Sequence, residues 1–508
     1  MTKRPDETTH GARSAKALGM GGPTALEKRR LSGALNARER LDRLFDAGTF
    51  SETGLFATSI REQDRERTPA DGKISGYGKI EGRLAAAVVN DFTVLGASSS
   101  TINSRKIGYT KEIATRNGMP IVFLGESSGG RIPDSMGARG MGASGFDPTQ
   151  YLRTRETPWA SGVLGSCFGS SVWYTCMSDF VVMRRGATLA VASPRVTSMA
   201  IGQQVDPEEL GGWQLHAEVT GLVDRAVDSD EEAIELIRRF LSYLPSHNGE
   251  TAPMQPAASA PDRNPADLVP ADRTKVYDMR KVVNSIVDPD TFFPIKERFA
   301  RVLVTGLARI GGRVVGIIAN NPMIKGGAID PDACDKAINL IVLCDSFNIP
   351  IINLVDTPGF LVGLEGERKK APGKIMNYMQ ALQLVTVPKI SIILRKLYGQ
   401  AYLNMGGGRN SDELCAWSGA EISFMDPAIA VNVVYGVRHD SDPEKFSELH
   451  KQLSASSSAY ELAGLFAAQH VIEPHETRDY LIRSLEIQQR RRSNGIGEHR
   501  MSLWPCTF

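Results

Sequence analysis

The sequence has no closely paired cysteines, no long apolar runs and no excess of charge of either sign. Its six cysteines are scattered without a Cys-x-x-Cys pair, which excludes a zinc ribbon built on such pairs and is typical of reduced thiols in a cytoplasmic enzyme. The absence of any run of about 18 apolar residues excludes a membrane-spanning helix. The formal net charge is +1, so the overall charge gives no indication of a nucleic-acid or anionic-membrane partner.

The amino terminus also lacks the features of a targeting segment. Residues 1–25 contain Asp6 and Glu7 and have no apolar core, so we expect neither a secretory signal nor a transit peptide. What the chain does have is apolar material for more than one core, since 42% of its 508 residues are hydrophobic. We therefore expect a cytoplasmic protein with more than one domain.

One stretch of the chain occurs twice, 230 positions apart and without a gap. The block GYGKIEGR at Gly76–Arg83 returns as GLARIGGR at Gly306–Arg313. The same offset pairs further identical residues: Asn90 with Asn320, Gly96 with Gly326, Lys106 with Lys336, Pro120 with Pro350, Gly129 with Gly359, and Gly169 with Gly399. A chance match does not hold one register over so long a span, so the sequence indicates two copies of one domain. An active site between two such copies would take one half from each.

The pattern of apolar residues in each copy predicts a strand, a helix and a second strand, in that order. In the first copy the apolar runs Leu84–Phe92 and Met119–Gly125 flank a helical stretch at 104–118, and the second copy repeats this order within 313–356. A crossover of this length joins parallel strands, so we expect a largely parallel, buried sheet in each copy. Before the first copy, helical spacing in residues 25–46 predicts an amphipathic arm that follows a polar leader.

These patterns divide the chain into two domains and a linker. We assign residues 1–250 to an amino-terminal domain and residues 276–508 to a carboxyl-terminal domain. Residues 251–275, between them, are rich in proline and alanine and contain no aromatic residue, which is typical of a domain linker.

A glycine-containing turn follows the third apolar segment of each copy, ESSGG in the first and DTPGF in the second. Gly125–Gly129 fits the Gly-x-Ser-x-Gly elbow of a serine hydrolase with Ser127 as the nucleophile, but Thr357 stands at the equivalent position, which disfavours this interpretation. Asp356–Gly359 resembles a GTPase switch, but the chain has no phosphate-binding loop. Turns at the carboxyl ends of parallel strands present backbone N–H groups where ligands of open sheets bind.

A second pair of glycines, Gly169 and Gly399, also follows an apolar strand in each copy and precedes a segment that can begin a helix. Backbone amides near them can converge on one oxygen, so the sequence predicts two oxyanion holes, one in each copy. The alternative is that these glycines have no role in binding and merely allow a helix to pack closely against the sheet. We find no candidate acid, base or nucleophile in duplicate beside these sites, and we expect His216 to be a hydrogen-bonded core histidine. Such a protein suits a reaction whose substrate or cofactor supplies the base.

Segments spread over nearly the whole chain carry a family resemblance. They are ARERLDRLFD, DGKISGYGKIEGR, NDFTVLGAS, ESSGGRI, SDFVVM, DACDKAINLIVLCDSFNIPIINLVDTPGFLVG, TVPKISIILRKLYGQAY and AWSGAEISFM. Together they resemble the carboxyltransferase β subunit of biotin-dependent acyl-CoA carboxylases, the group that includes propionyl-CoA and methylcrotonyl-CoA carboxylases. The resemblance implies an α/β fold made of a tandem duplication of crotonase-like (ClpP/crotonase) domains.

The resemblance also implies a reaction and its partners. In this family a separate biotin carboxylase charges biotin, and a mobile biotin carrier brings carboxybiotin to the β subunit. There carboxybiotin yields CO₂, the biotin nitrogen takes the α proton of an acyl-CoA, and the enolate attacks CO₂ at the α or vinylogous carbon. The implied cofactor is therefore biotin on a partner subunit, with an acyl-CoA substrate and no metal. The implied assembly is a homo-oligomer, a hexamer, whose active sites join the amino half of one subunit to the carboxyl half of another.

Site residues are carried over from the family by position. They are Gly169 and Ser170 for the thioester oxyanion hole; Gly399, Gln400 and Ala401 for the hole that holds the ureido oxygen of biotin; Ser128, Gly129, Gly130 and Arg131 for CoA; and Tyr402 and Leu403 for the acyl pocket. Leu403 offers an apolar wall, which predicts a hydrophobic acyl group. Ser170 and Gln400 depart from the glycine-rich pattern of relatives, and the resemblance implies that the added Gln400 side chain either narrows the second hole or alters the group bound there.

Two alternatives retain the same fold. One is the carboxyltransferase subunit of a biotin-dependent decarboxylase, which uses the same site in reverse and is coupled to a membrane partner. The other is a non-catalytic scaffold paralogue that holds an assembly together, and the departures at Ser170 and Gln400 are its support.

Overall fold

The computed structural model describes residues 9–143 and 148–506, which divide into two compact units. The first unit contains the described residues up to His247 together with Pro505 and Cys506. The second unit runs from Asn248 to Trp504. The final residues described thus belong to the first unit, which the assignment of domains from the sequence did not anticipate.

The segment that the sequence indicates as a linker packs within the second unit. The N–H of Gln255 donates to the carbonyl oxygen of Gly312 at 3.0 Å. The guanidinium of Arg395 donates to three carbonyl oxygens of the same segment, those of Pro270, Asp272 and Lys275. Residues 251–275, called the strap below, are therefore held to the second unit by hydrogen bonds near both of their ends.

The first unit is built on one mixed sheet. Among the described residues its strands are β1 Ser51–Thr53, β2 Lys73–Ile80, β3 Arg83–Asn90, β4 Ile121–Ser128, β5 Trp159–Phe168, β6 Phe180–Arg184, β7 Thr188–Leu189 and β8 Arg225–Val227. They are bonded in the order β1-β2-β3-β4-β5-β6-β8, with β7 paired to β5. The strands from β3 to β8 pair in parallel, and nearly all side chains of β4 and β5 are buried, as in sheets covered on both faces.

The second unit repeats this sheet. Its described strands are β9 Phe293–Pro294, β10 Leu303–Ile310, β11 Arg313–Asn320, β12 Ile351–Thr357, β13 Lys389–Tyr398, β14 Glu413–Trp417, β15 Glu421–Ser423 and β16 His470–Ile472. Their order is β16-β14-β13-β12-β11-β10-β9, with β15 paired to β13. A shift of 230 positions carries β2, β3 and β5 onto β10, β11 and β13 with identical bounds. The predicted duplication and the largely parallel sheets are confirmed.

Helices connect and cover the strands in both units. Those described in the first unit are α1 His10–Leu18, α2 Pro23–Leu31, α3 Ala37–Leu44, α4 Thr101–Arg116, α5 Ile132–Ser135, α6 Gly137–Ala143, α7 Ser170–Met177, α8 Pro194–Ile201, α9 Pro207–Gly211 and α10 Asp230–Tyr243. Those of the second unit are α11 Met279–Ile286, α12 Pro331–Ser346, α13 Leu364–Arg368, α14 Ala371–Leu384, α15 Ala401–Asn404, α16 Pro427–Tyr435, α17 Pro443–Ala455, α18 Ala459–Gly464 and α19 Thr477–Ile487. No helix in the described part of the chain is long and apolar enough to cross a membrane.

The predicted amino-terminal arm is confirmed as α2 and α3, but the polar leader before it contains a further helix, α1. The side chain of Thr9 caps α1 by accepting from the N–H of Ala12 at 3.2 Å. Alanine-rich sequence then supports the helix by propensity. Only Ala17 of α1 is buried, and its apolar residues other than Leu18 are small. An interpretation based on the periodicity of large apolar residues therefore misses this helix.

Candidate active site

The first glycine site lies where β5 ends and α7 begins. Gly169 has φ of 67°, and a Cβ built on it would lie 3.2 Å from the Cα of Gly129. Both the left-handed backbone and this close approach require glycine. The structure thus brings the ESSGG turn directly against Gly169, so two motifs that are distant in the sequence form one surface.

Backbone donors are available at the start of α7. The N–H groups of Ser170 and Ser171 lie in the first turn of the helix and donate to no acceptor among the described residues. Their hydroxyls are held by neighbours, since Ser170 Oγ lies 2.6 Å from Ser99 Oγ and Ser171 Oγ accepts from Asn90 Nδ2 at 2.9 Å. The departure at Ser170 therefore adds an anchoring hydrogen bond and leaves the backbone donor unoccupied.

The second glycine site has the same construction. Gly399 has φ of 63° between β13 and α15, and a Cβ on Gly359 of the DTPGF turn would lie 3.4 Å from the carbonyl oxygen of Tyr398. One detail differs from the expectation, because the N–H of Gly399 already donates to the carbonyl oxygen of Ser423 at 3.0 Å. The donors left for a ligand are the N–H groups of Gln400 and Ala401, which have no acceptor among the described residues.

The hydroxyls of Ser127 and Thr357 hold the two turns in place. Ser127 Oγ is buried, donates to the carbonyl oxygen of Ala97 at 3.1 Å and accepts from the N–H of Gly129 at 3.2 Å. Thr357 Oγ1 accepts from the N–H of Gly359 at 3.1 Å in the same way. Neither hydroxyl is exposed, and none of the polar partners of Ser127 is a base. The hydrolase interpretation is therefore wrong, because the serine has a structural role.

A buried carboxylate precedes each turn at a bulge in the strand. The pairing of β4 with β5 shifts register between Gly125 and Ser127, which isolates Glu126, and the pairing of β12 with β13 shifts between Val355 and Thr357, which isolates Asp356. This duplicated pair of acids was not predicted from the sequence.

Neither of these carboxylates is available as a base. Glu126 forms ion pairs with Arg29 and Arg40, and Asp356 forms one with Arg395. Burial raises the pKa of Asp356, although nearby cations oppose the shift. Carboxylates that are buried and neutralised by arginines have a structural role at these bulges.

The residues predicted to contact CoA differ in their exposure. Arg131 is only 4% exposed, and its guanidinium donates to Asp71 at 2.6 Å and to Ser98. The Arg131 side chain thus has a buried structural partner, and its contact with CoA stays a prediction. Ser128 is exposed and Gly130 carries no side chain, so these positions stay predictions as CoA contacts.

Tyr402 and Leu403, predicted to line the acyl pocket, pack against a run of glycines. A Cβ on Gly407 would lie 2.5 Å from the Tyr402 ring, and one on Gly408 would overlap Leu403 Cδ2. Glycine is thus required there for space. Both side chains are partly exposed, so their contact with a substrate stays a prediction.

The predicted role of His216 is confirmed. It is buried, Nε2 lies 2.8 Å from the carbonyl oxygen of Leu189, and Nδ1 lies 3.1 Å from Thr220 Oγ1. Burial lowers its pKa. Within the described residues no group of three or more His, Cys, Asp or Glu side chains is arranged to hold a metal ion.

The duplication repeats two buried lysines, Lys106 on α4 and Lys336 on α12, whose burial was not predicted from the sequence. Each ammonium donates to three backbone carbonyls. Burial lowers the pKa of Lys106 to about 8 and that of Lys336 to about 7. Their identity at the shared register was the only signal in the sequence. The acceptors are those of Gly54, Ala70 and Lys73 for the first and of Phe299, Ala300 and Leu303 for the second.

Comparison with known proteins agrees with this construction. The family model of the carboxyl transferase domain matches residues 28–501. Methylmalonyl-CoA decarboxylase subunit alpha of Veillonella parvula is 34% identical over 94% of this chain and 95% of its own length, and the propionyl-CoA carboxylase beta chain of Roseobacter denitrificans is 33% identical over 94% and 95%. The crystal structure of the transcarboxylase 12S hexamer with methylmalonyl-CoA bound matches with a TM-score of 0.88 and 32% identity over 96% of each chain.

The fold, the duplicated glycine sites and these similarities point to one conclusion. The resemblance stated from the sequence is confirmed, as is its implied pair of crotonase-like domains. The chain is an enzyme that belongs to the carboxyl transferase family.

Proposed function

We propose that this chain is the carboxyltransferase subunit of a biotin-dependent acyl-CoA carboxylase. It would transfer a carboxyl group from carboxybiotin to the α carbon, or the vinylogous carbon, of an acyl-CoA. The observation that carries the proposal is the pair of helix starts with unoccupied N–H donors at equivalent places in the two units. The carboxylates duplicated beside them, Glu126 and Asp356, are engaged by arginines, so the base would come from elsewhere.

The two sites suit two different oxygens. In the first unit, the N–H groups of Ser170 and Ser171 would stabilise the thioester oxygen as negative charge develops on it in the enolate. Each such donor typically contributes about 3 kcal/mol to transition-state stabilisation. Gly129 and Gly130 would leave room for CoA beside this site, because neither carries a side chain.

In the second unit the donors fit the ureido oxygen of biotin. The N–H groups of Gln400 and Ala401 can bind one acceptor oxygen, and the Gly399 backbone that orients them is fixed by its bond to Ser423. Bound carboxybiotin would supply the carboxyl group and the base that the chain lacks. The chain itself would orient that oxygen and the acyl-CoA, with Leu403 forming an apolar wall for the acyl group.

The proposed partners are a biotin carboxylase and a biotin carrier, and the proposed assembly is a hexamer in the cytoplasm. The hexamer is supported by the similarity to transcarboxylase 12S, which is itself described as a hexamer. Light scattering of the purified chain tests it, and a monomer with full activity would contradict it.

The reaction is tested by supplying the purified chain with biotin carboxylase, biotin carrier, ATP and labelled bicarbonate. We expect label in the acyl-CoA product for propionyl-CoA or a longer apolar acyl-CoA. The absence of product for every acyl-CoA tested, from a folded and assembled protein, would contradict the proposal.

A decarboxylase is the second candidate, and the similarity to methylmalonyl-CoA decarboxylase subunit alpha favours it. The same preparation, given methylmalonyl-CoA and free biotin without ATP, distinguishes the two. Decarboxylation without any ATP-dependent carboxylation would assign the chain to the decarboxylase direction. Inactivity in both assays would leave the scaffold role.

A further inference from the structure

Lys73 is a third buried lysine, and it differs from the other two. It lies at the start of β2, is 1% exposed, and its Nζ donates to one acceptor, the carbonyl oxygen of Ala97, at 2.9 Å. An ammonium group has three N–H donors, so two remain without a protein partner among the described residues. No carboxylate of the described residues lies within ion-pair distance of it.

The two units share the structural lysines Lys106 and Lys336, whereas Lys73 occurs in the first unit only. Lys106 and Lys336 occupy equivalent positions, and each satisfies all three donors with backbone carbonyls. The position equivalent to Lys73 in the second unit is Leu303, which is also buried. The fold of this domain therefore accepts an apolar side chain there. A buried cation without a counter-charge is costly, so its presence in only one unit calls for a reason other than folding.

Lys73 lies beside the donors of the first glycine site. Its side chain lines a small cavity, large enough for about one water molecule, together with Asn90, Ser170, Ser171 and Thr175. Ser170 and Ser171 are the residues whose N–H groups form the proposed thioester hole. A water in this cavity would take up the free donors of Lys73 and connect them to the hydroxyls below the hole.

The charges around Lys73 do not neutralise it. Asp71, on the adjoining turn, is engaged by Arg131 at 2.6 Å, so that carboxylate already has its partner. Cys167 on β5 is also near Lys73, but burial raises the pKa of this thiol to about 12, and it is uncharged at neutral pH. The positive charge of a protonated Lys73 is therefore not compensated nearby. It can stabilise negative charge in the cavity and at the start of α7.

We propose that Lys73 is a positioning and electrostatic residue of the carboxyl transfer reaction, whose buried ammonium stabilises the enolate that forms at the Ser170–Ser171 amides. This inference rests on the proposed function. The buried Leu303 at the equivalent position shows that the fold does not require a cation there, so the Lys73 ammonium has a use that is specific to the first site.

The role has a pH signature. Burial lowers the pKa of Lys73 to about 7, so in the free enzyme the ammonium is lost as pH rises through that value. The groups facing it are Asp71, Arg131 and Cys167. We expect kcat/KM to fall above about pH 7, because kcat/KM reports the ionisation of the free enzyme.

The test is Lys73→Met in the intact assembly, with Leu303→Met as the matched control at the equivalent position of the second unit. For Lys73→Met we expect kcat to fall by about tenfold to a hundredfold, on the order expected for the loss of one stabilising group at an oxyanion, with a smaller change in KM. The thermal midpoint should stay equal or rise, because an unpaired buried charge has been removed. Leu303→Met should change neither kcat nor the thermal midpoint.

The pH profile of the wild-type protein is a second measurement that needs no variant. The decline of kcat/KM above about pH 7 should be present in the wild type and absent from Lys73→Met. A wild-type profile that is flat from about pH 6.5 to 8.5, or a loss of stability that accompanies the loss of activity in Lys73→Met, would overturn the role. An inactive wild-type protein would instead contradict the proposed function, so the two failures are distinguishable.

Discussion

The two units hold a buried carboxylate at the same place in the fold but neutralise it from different directions. In the first unit Glu126 is bound by Arg29 and Arg40, which come from α2 and α3 of the amino-terminal arm. In the second unit Asp356 is bound by Arg395, which lies on the neighbouring strand β13. The same requirement for a cation is thus met by a distant element in one unit and by the sheet itself in the other.

The different source of the cation in the two units follows from one residue of the neighbouring strand, which is Arg395 on β13 and Gly165 on β5. A carboxylate at the bulge next to the glycine turn needs a cation, because an unpaired buried charge is strongly destabilising. Where that strand supplies Arg395, the carboxylate is the shorter aspartate. The equivalent residue of the first unit is Gly165, where a Cβ would lie 2.5 Å from Glu126 Oε1, and there the longer glutamate reaches arginines of the arm. The first unit therefore depends on its arm for the geometry of its site, and the second depends on its own sheet and strap.

The comparison predicts the largest effect for neutralising Glu126. Glu126→Gln leaves Arg29 with a neutral partner in a buried position, so we expect a loss of about 3 to 5 kcal/mol in the free energy of unfolding. Asp356→Asn should cost less, about 1 to 3 kcal/mol, because Arg395 keeps three carbonyl acceptors. Urea denaturation of the two variants measures the difference.

The control for these variants is Glu112→Gln, which removes an exposed pair with Arg116 on α4 and should change stability by less than about 0.5 kcal/mol. An equal cost for Glu126→Gln and Asp356→Asn would show that the origin of the cation is irrelevant.

The next effect concerns the two glycine sites themselves. Gly169→Ala and Gly399→Ala each place a Cβ on a left-handed backbone, with contacts at 3.2 Å and 3.3 Å, so the following N–H donors should move. We expect activity to fall about a hundredfold to a thousandfold in each. Steady-state carboxylation measures the loss, and the rise in KM should concern acyl-CoA for the first variant and the biotin carrier for the second.

Gly82→Ala is the matched control for the glycine variants. Gly82 has φ of 78° in the β2–β3 hairpin, with nothing within 4 Å of the added Cβ. It should reproduce the backbone strain and retain activity. Loss of activity in all three variants would mean that strain alone, and not donor geometry, is responsible.

A smaller effect is expected where the units differ in an apolar side chain rather than in a charge. Leu403 on α15 stands at the position equivalent to Trp173 on α7, which is 40% exposed. Leu403→Asp should lower kcat/KM for long apolar acyl-CoAs relative to short ones by about tenfold to a hundredfold, since an apolar contact is replaced by a charge. The ratio of kcat/KM between long and short acyl-CoAs measures this, with thermal stability as the control. An unchanged ratio in a folded, active variant would show that Leu403 does not line the pocket.

The smallest effect is the pH dependence of stability that the buried lysines produce. The pKa of Lys336 is about 7 in the folded protein and near 10.5 when exposed, so the unfolded state binds more protons between these values and stability rises with pH. We expect Lys336→Met to reduce the slope of unfolding free energy between about pH 7 and 8.5 by on the order of 1 kcal/mol per pH unit. Thermal or urea unfolding at several pH values measures the slope, and an unchanged slope contradicts the shift.

Much of the fold could be predicted from the sequence because the duplication repeats local patterns. The 230-residue register located the strands, the α4 and α12 crossovers and both glycine sites, since these depend on short-range periodicity and on backbone conformations that glycine adopts. The helix α1 was missed because its propensity comes from alanine without a face of large apolar residues. The ion pair of Arg131 with Asp71 could not be predicted, because its partner lies 60 positions away.

The sequence by itself determined that there are two copies of one α/β domain and where each copy turns from strand to helix. Only the tertiary structure decided which charges meet. Arg29 reaches Glu126 across 97 positions and Arg395 reaches Asp356 across 39, and neither pairing has a local signature. Local periodicity encodes which face of an element is buried, whereas the partner of a buried charge depends on which distant elements pack together. For the same reason the burial of Lys73 beneath the first glycine site became visible only in the folded chain.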